Sequence, residues 1–456
     1  MPKPPTMPKK EVKTDLESRF RAFDTLTEWL RPVPDEWIKP VTKDGGPEVT
    51  QLQSLKCTSY RDLIVSWRRA LKWRQDLDDV LGTMLAVAAS TVQQGDQLFL
   101  MVIGDAGSGK TRLCDAMLVS KHCYPLEHLT GFFSGFKGDD GEDYSLIGRV
   151  NGKLMLTPEG DVLMSNPKFP EIMAQQRRIF DGVSGATYKN SKEDKRYSGL
   201  RTPWIIAGTP ALLDSDQTRL GDRFLKVFVE SPSEDQRKEI LRRISRSAFE
   251  AVQSQASGED HVGAKLQEAY QRTGGYVDWL RENTMQLSEL TVDDRYLDYC
   301  ESIGDYISYL RARPGKSDDA KPTREQPTRL ASQITRLMAC QTYVLNKTDV
   351  DDEVLRRVLR VALNTASGIG YDIAQIMYKE ENAYLPNRTF HVRLDYNKNS
   401  IDKQIRLMKQ IGAVQLSTED VGYVQKSAKP YWKLSHRMYE LFNMVEKLKT
   451  SIRAGI

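Results

Sequence analysis

Residues 98–118 read LFLMVIGDAGSGKTRLCDAML. Within them Gly104, Asp105, Ala106, Gly107, Ser108, Gly109, Lys110 and Thr111 complete the spacing G-x-x-x-x-G-K-T, a phosphate-binding loop. Three glycines leave room for backbone N–H groups to face phosphate oxygens, Lys110 can reach the β- and γ-phosphates, and the Thr111 hydroxyl can hold Mg²⁺. A nucleoside triphosphate with Mg²⁺ is the ligand this chemistry calls for. The apolar run 99–103 reads as a buried strand and 111–118 carries apolar residues at helical spacing, so the loop opens a helix.

Hydrolysis also needs a carboxylate beside the loop, to hold the metal's water shell or orient the attacking water. The short apolar run 153–157 is followed at once by Glu159 and Asp161 in Thr-Pro-Glu-Gly-Asp. Glu159 is the preferred catalytic carboxylate and Mg²⁺ partner, with Asp161 as the alternative; a solvated turn is the competing reading. A third apolar run, 202–207, ends in Gly208-Thr209-Pro210, where Thr209 could sense the γ-phosphate or position water. Arg219 and Arg223 precede a last core strand at 226–229.

These residues must be carried by an α/β core, and the remaining chain is long enough for two or three domains. The 456 residues contain 66 Lys and Arg against 62 Asp and Glu, but the stretch from Leu385 onward holds 13 against 6. That surplus marks a basic C-terminal module. No apolar run approaches the ~18 residues of a membrane span, and the start lacks a secretory apolar region. Five scattered cysteines fit a reduced cytosol and offer no zinc spacing. Residues 60–92 read as a long helix carrying Trp67 and Trp73 as packing, and 170–183 as another helix. The polar, basic stretch 185–198 suits an exposed loop or one facing DNA. Helices follow from 231, with Gly-rich breaks suggesting a variable insertion at 254–283. In the tail, a helix at 400–411 and strands at 412–416 and 431–434 flank VGYVQKSAK, a helix with a basic wing. Lys403, Arg406 and Lys409 recur at helical spacing, and Lys426, Lys429 and Lys433 surround the wing, with Tyr423, Tyr431 and Trp432 as contacts or packing. Asn346-Lys347-Thr348-Asp349 spells the guanine-reading N-K-x-D, but between helices and far from the loop, so it reads as the approach to a helix start.

The order of loop lysine, acidic strand tip, polar strand tip and arginine before the last strand resembles that of AAA+ ATPases. The pieces FLMVIGDAGSGKT, SLIGRVNGKLML, RRIFDGVSGATY, IIAGTP and RLGDRFLKV are similar to a group of these from phages and mobile elements, distantly like minichromosome-maintenance-type helicases, over residues 60–380. The resemblance implies that Lys110 and Thr111 bind nucleotide and Mg²⁺, that Glu159 is the Walker B carboxylate and Thr209 sensor 1. It makes Arg223 the arginine finger and Arg329 the sensor 2 arginine. It departs at Thr157-Pro158, where an aspartate is usual. The expected organisation is an N-terminal arm and extension (1–59), an AAA+ core of parallel sheet and flanking helices (60–230), a helical lid with an insertion (231–380) and a winged-helix-like basic domain (381–456). The expected activity is that of a DNA-acting, ATP-hydrolysing homo-oligomeric ring, a hexamer. The alternatives are an ATP-gated DNA-binding or loading factor with slow hydrolysis and, third, a metabolic P-loop kinase.

Overall fold

Phe99–Ile103 (β1) is an unbroken apolar run with every residue buried, as in a strand covered on both faces. In the computed structural model it pairs in parallel with Trp204–Gly208 (β6) and Phe224–Phe228 (β7), and Ile103 stands level with both Gly208 and Phe228. Leu154–Thr157 (β3) pairs with β6 and Cys123–Pro125 (β2) with β3, so the parallel sheet has the order β2-β3-β6-β1-β7. Val183–Ala186 (β4) and Lys195–Ser198 (β5) form a separate antiparallel pair. The structure describes residues 52–71, 73–93, 95–127, 129–134, 145–187, 195–215, 223–257, 261–312, 322, 324–417 and 430–454.

Alternation along β1 feeds two cores, because successive side chains of a strand point to opposite faces. Phe99, Met101 and Ile103 join Trp204, Phe224 and the helix Phe169–Phe180 (α6). Phe180 meets Phe99 edge-on at 4.9 Å. Leu100 and Val102 face the larger core, shared with Tyr60–Ala70 (α1), Gln75–Ala89 (α2), Lys110–Leu118 (α3), His261–Glu282 (α9), Asp294–Leu310 (α10), Pro327–Val344 (α11) and Asp352–Ala366 (α12). Leu146–Val150 (α4), Gly160–Met164 (α5), Ala211–Ser215 (α7) and Glu234–Ser257 (α8) complete this part. The α/β core with helices on both faces of a parallel sheet is therefore as expected. Among the described residues no helix is long and apolar enough to cross a membrane.

On its outer side β7 meets side chains in place of another strand. The backbone N–H groups of Lys226 and Phe228 donate to Thr365 Oγ1 and Asn364 Oδ1, each at 2.9 Å. Arg360 donates to the Phe228 carbonyl at 3.0 Å, Arg311 to that of Phe224 at 3.3 Å, and Gln333 to that of Arg223 at 2.9 Å.

Two readings of the chain are corrected. The Gly-Gly break read within 254–283 is instead helical: α9 runs through Gly274 and Gly275, where a neighbouring side chain and a neighbouring carbonyl leave no room for a Cβ. A Cβ on Gly275 would lie 1.8 Å from the Leu55 carbonyl oxygen, and one on Gly274 2.8 Å from Val119 Cβ. Residues 52–59 pack here: Leu55 N–H donates to the Gln271 carbonyl at 2.9 Å and Ser59 caps α1. The long helix at 60–92 is two, since Arg74 turns away to bond both oxygens of Asp76 at 2.8 Å and the Glu230 carbonyl at 2.9 Å.

α2 and α12 are joined by buried charge. Asp79, 3% exposed, takes two hydrogen bonds from Arg356 (2.6 and 2.7 Å) and one from Arg360 (3.0 Å), with Arg357 at 3.4 Å. Burial alone would raise the pKa of Asp79, but the Arg356 hydrogen bond and the charges of Arg357, Arg356 and Arg360 outweigh it and leave it lowered. Asp79→Asn would leave these guanidinium groups under-compensated, and we expect it to cost about 3 kcal/mol at neutral pH. A depressed carboxylate pKa contributes stability that is present above its ordinary value of 3.8 and lost as pH falls through the folded value. Urea midpoints of the two proteins should therefore converge below about pH 4. A constant gap across that range would assign the stabilisation to something other than this charge.

After Ile369–Lys379 (α13) the chain forms Leu385–Pro386 (β8), Asn387–Arg393 (α14), Lys398–Gln410 (α15), Val414–Leu416 (β9), Tyr431–Leu434 (β10) and His436–Ala454 (α16). The strands make an antiparallel sheet β8-β10-β9. Asp402 on α15 accepts from Asn387 at 2.7 Å, and Trp432 on β10 donates to Asn387 at 2.6 Å, fixing α15 against the sheet. Tyr423, Lys426 and Lys429 lie outside the described residues.

Candidate nucleotide-binding site

The loop 104–109 leaves β1 at the carboxyl edge of the sheet, where ligands of open parallel sheets bind. Gly107 and Gly109 have φ of +76° and +101°, conformations L side chains rarely adopt, and Gly109 leads directly into α3. Lys110 Nζ folds back over the loop and donates to the carbonyls of Gly104 (2.6 Å) and Asp105 (2.8 Å) and to Ser108 Oγ (3.1 Å). Burial lowers the pKa of this ammonium, opposed by the charges of Asp161 and Asp105. An arriving phosphate would take over donors now spent on loop oxygens.

The neighbouring strand tips converge here. Asp161 accepts from the Thr209 N–H at 3.0 Å and from its hydroxyl at 3.2 Å. Lys110, Asp161 and Thr209 are thus brought together. Glu159 is exposed at the tip of β3; its carbonyl accepts from the Val162 N–H at 3.2 Å, and its carboxylate makes no hydrogen bond or ion pair among the described residues. Thr157, at the position where a carboxylate is usual, is buried and accepts the Trp204 indole N–H at 3.0 Å. It is turned into the core and cannot serve a metal. The exposed Thr111 hydroxyl also bonds nothing among the described residues. Two such oxygen donors suit Mg²⁺, which keeps several waters and shares phosphate oxygens. No three His, Cys, Asp or Glu side chains among the described residues stand together to hold a metal unaided, so the phosphates would have to complete its shell.

Two expected arginines are not brought to the loop. Arg223 precedes Phe224, which is level with Phe99 at the opposite edge, roughly 13 Å away at about 3.3 Å per strand residue. There Nη2 pairs with both oxygens of Asp181 at 3.3 Å. Arg219 lies outside the described residues. Arg329 sits one turn before Gln333, whose amide bonds the Arg223 carbonyl, and pairs with Glu325 at 3.7 Å. Its helix meets the sheet at the edge away from this subunit's loop, so a sensor 2 role within the subunit is not supported.

The sequence reading missed a charged group beside the loop. Arg360 pairs with Glu230 at 3.2 Å, whose N–H donates to Asp76 at 3.2 Å, and Ser231 donates to the loop's own Asp105. Residues 76, 105, 230, 231 and 360 are too far apart in the chain for any spacing to announce this. In the hairpin, Lys195 donates to the Ser134 carbonyl at 2.7 Å and Tyr197 stacks on Phe133 at 5.7 Å, so both anchor it; residues 188–194, the rest of the proposed DNA-facing loop, lie outside the described residues. Asn346 of the N-K-x-D sequence accepts from the Tyr60 N–H at 2.8 Å, and Lys347 binds Asp351 and Glu353, packing roles. Comparison with protein-family models and with curated proteins finds no match for this chain.

Proposed function

We propose that the protein is an ATP-hydrolysing motor of AAA+ type that works on DNA as a homo-oligomeric ring, a hexamer. One observation carries this: Lys110, Asp161 and Thr209 meet at one edge of the parallel sheet while Arg223 stands at the other. Such an arginine cannot serve its own subunit's nucleotide, but it can serve a neighbour's. In this reading the loop and Lys110 hold the triphosphate, Thr111 and Glu159 hold Mg²⁺, and Thr209 with Asp161 orients the γ-phosphate side. Glu159, unpaired and exposed, activates water. ATP hydrolysis measured with and without single- and double-stranded DNA tests the proposal. A rate at background in all three conditions would end it.

Glu159→Gln is expected to reduce hydrolysis by about 10²-fold or more, as loss of a positioned base does, while bound ATP is retained. Asp161→Asn should weaken it less, since an amide oxygen still accepts from Thr209. The reverse order, read from single-turnover rates, would exchange the two roles.

The C-terminal part supports a winged-helix reading by its order of α13, β8, α14, α15, β9, β10 and α16. Lys403, Arg406 and Lys409 are exposed on α15, the helix that would enter a DNA groove. Replacing all three by alanine should flatten the dependence of log affinity on log salt by roughly 2 to 3 units if each neutralises one phosphate of duplex DNA. An unchanged slope would turn this surface to protein contacts.

The second reading, an ATP-gated DNA-binding or loading factor, is favoured by Thr157. With that side chain bonded to Trp204, the metal has one strand-tip carboxylate fewer, and turnover would be slow. Strand separation on a forked duplex distinguishes the motor from the switch.

A further inference from the structure

We infer that Asp181 is a positioning residue for Arg223, setting the guanidinium for insertion into the nucleotide site of a second copy of this chain; this rests on the reading of Arg223 given above. Asp181 ends α6 directly after Phe180, whose ring is 1% exposed and packed edge-on against Phe99. The carboxylate therefore stands on a fixed element. The Arg223 guanidinium lies 5.4 Å from the centroid of the Phe180 ring and gives Nη2 to both Asp181 oxygens. Its backbone is held from the other side by Gln333, a fully buried residue of α11. The long side chain is thus restrained at its base and at its head.

The pairing leaves donors over. Nε is buried without a partner, and Nη1, which alone of the two could meet an anion from outside, makes no hydrogen bond among the described residues. A structural arginine matched to a carboxylate commonly uses its planar fork in two parallel bonds. Here one nitrogen serves both oxygens and the far side of the fork remains for an anion. At 3.3 Å, with Asp181 42% exposed, the contact is too loose and too wet to add much stability. Its effect is to choose one orientation for a side chain that otherwise samples many. Fixing one rotamer-rich side chain before contact is worth about 3- to 10-fold in the contact it makes.

In the full-length protein, Asp181→Ala should lower kcat for ATP hydrolysis by about 3- to 10-fold, with KM for ATP and the melting temperature unchanged. Asp181→Asn, whose amide oxygen still accepts from Nη2, should retain most of the rate. Mixed assemblies give the readout that a merely structural role would not move. Asp181→Ala should regain activity when mixed with Lys110→Ala, because it damages the side of the interface that carries the arginine. It should gain nothing from Arg223→Ala, and the double variant should be no slower than Arg223→Ala alone. An unimpaired Asp181→Ala beside an impaired Arg223→Ala overturns this inference alone, as does a double variant slower by the full single-variant factor. A wild-type rate for Arg223→Ala overturns the arginine's role and this inference with it.

Discussion

Lys110→Ala abolishes nucleotide turnover and leaves the fold standing: this is the first of the two largest effects expected. Lys110 is 6% exposed, and its ammonium has three oxygen partners drawn from the loop itself. Those bonds close the loop around a charge. When a triphosphate enters, the same donors move from carbonyls to phosphate oxygens, a stronger acceptor, and the charges of Asp161 and Asp105 nearby oppose the lowering of its pKa by burial. Alanine removes one or two charge-assisted hydrogen bonds, about 1.5 to 3 kcal/mol each, and with them the field that stabilises the leaving phosphate. Affinity should fall about 10- to 100-fold or more, and hydrolysis to background. Titration with a fluorescent nucleotide and phosphate-release assays read both, with circular dichroism as the control for folding. Hydrolysis at the wild-type rate in a folded variant would remove the loop from the chemistry.

Arg223→Ala should bind ATP almost as the parent does and hydrolyse it about 10³-fold more slowly, the scale of other arginine fingers. The separation of effects follows from position. The side chain is at the edge of the sheet opposite its own loop, so nucleotide binding within a subunit does not sense it, whereas a neighbour's transition state would. An arginine offers planar, permanently charged donors for the charge that builds on the transferred phosphoryl group. Mixing Arg223→Ala with Lys110→Ala creates interfaces that pair an intact loop with an intact arginine, and part of the activity should return. Sedimentation in the presence of ATP gives the companion measurement. A strictly monomeric ATP-bound protein with no recovery in mixtures would leave the arginine as no more than the partner of Asp181.

The elements read best from sequence were those whose burial is written into consecutive residues. β1 is five apolar residues long and was found with its bounds intact, and the loop after it carries its own spacing. The polar tips Asp161 and Thr209 were also legible as candidates, because an apolar run that stops abruptly marks a strand end. What the sequence withheld is set by tertiary contact. Gly274 and Gly275 looked like a break, yet they are small because Val119 and Leu55 lie against α9. Arg329 looked like a phosphate sensor, but only the packing of α11 tells at which edge of the sheet it stands. Thr157 looked like a missing acid, and the Trp204 indole explains why a hydroxyl is kept there. Arg360 gave no signal, since it approaches the loop through Glu230, 130 positions away.

The side chains that line β7 have one more consequence. A sheet normally ends in a row of free N–H and C=O groups that invite another chain to pair with them. On the β7 side Thr365, Asn364 and Arg360 already occupy such groups. On the other side β2 is three residues long and ends in Pro125, which has no N–H to give. Among the described residues, then, neither border of this sheet offers the full row of free donors and acceptors that favours strand addition. A second copy meeting this sheet would do so through side chains, contacts that can be reversible and nucleotide-dependent, whereas a backbone ladder, once zipped, would not let go.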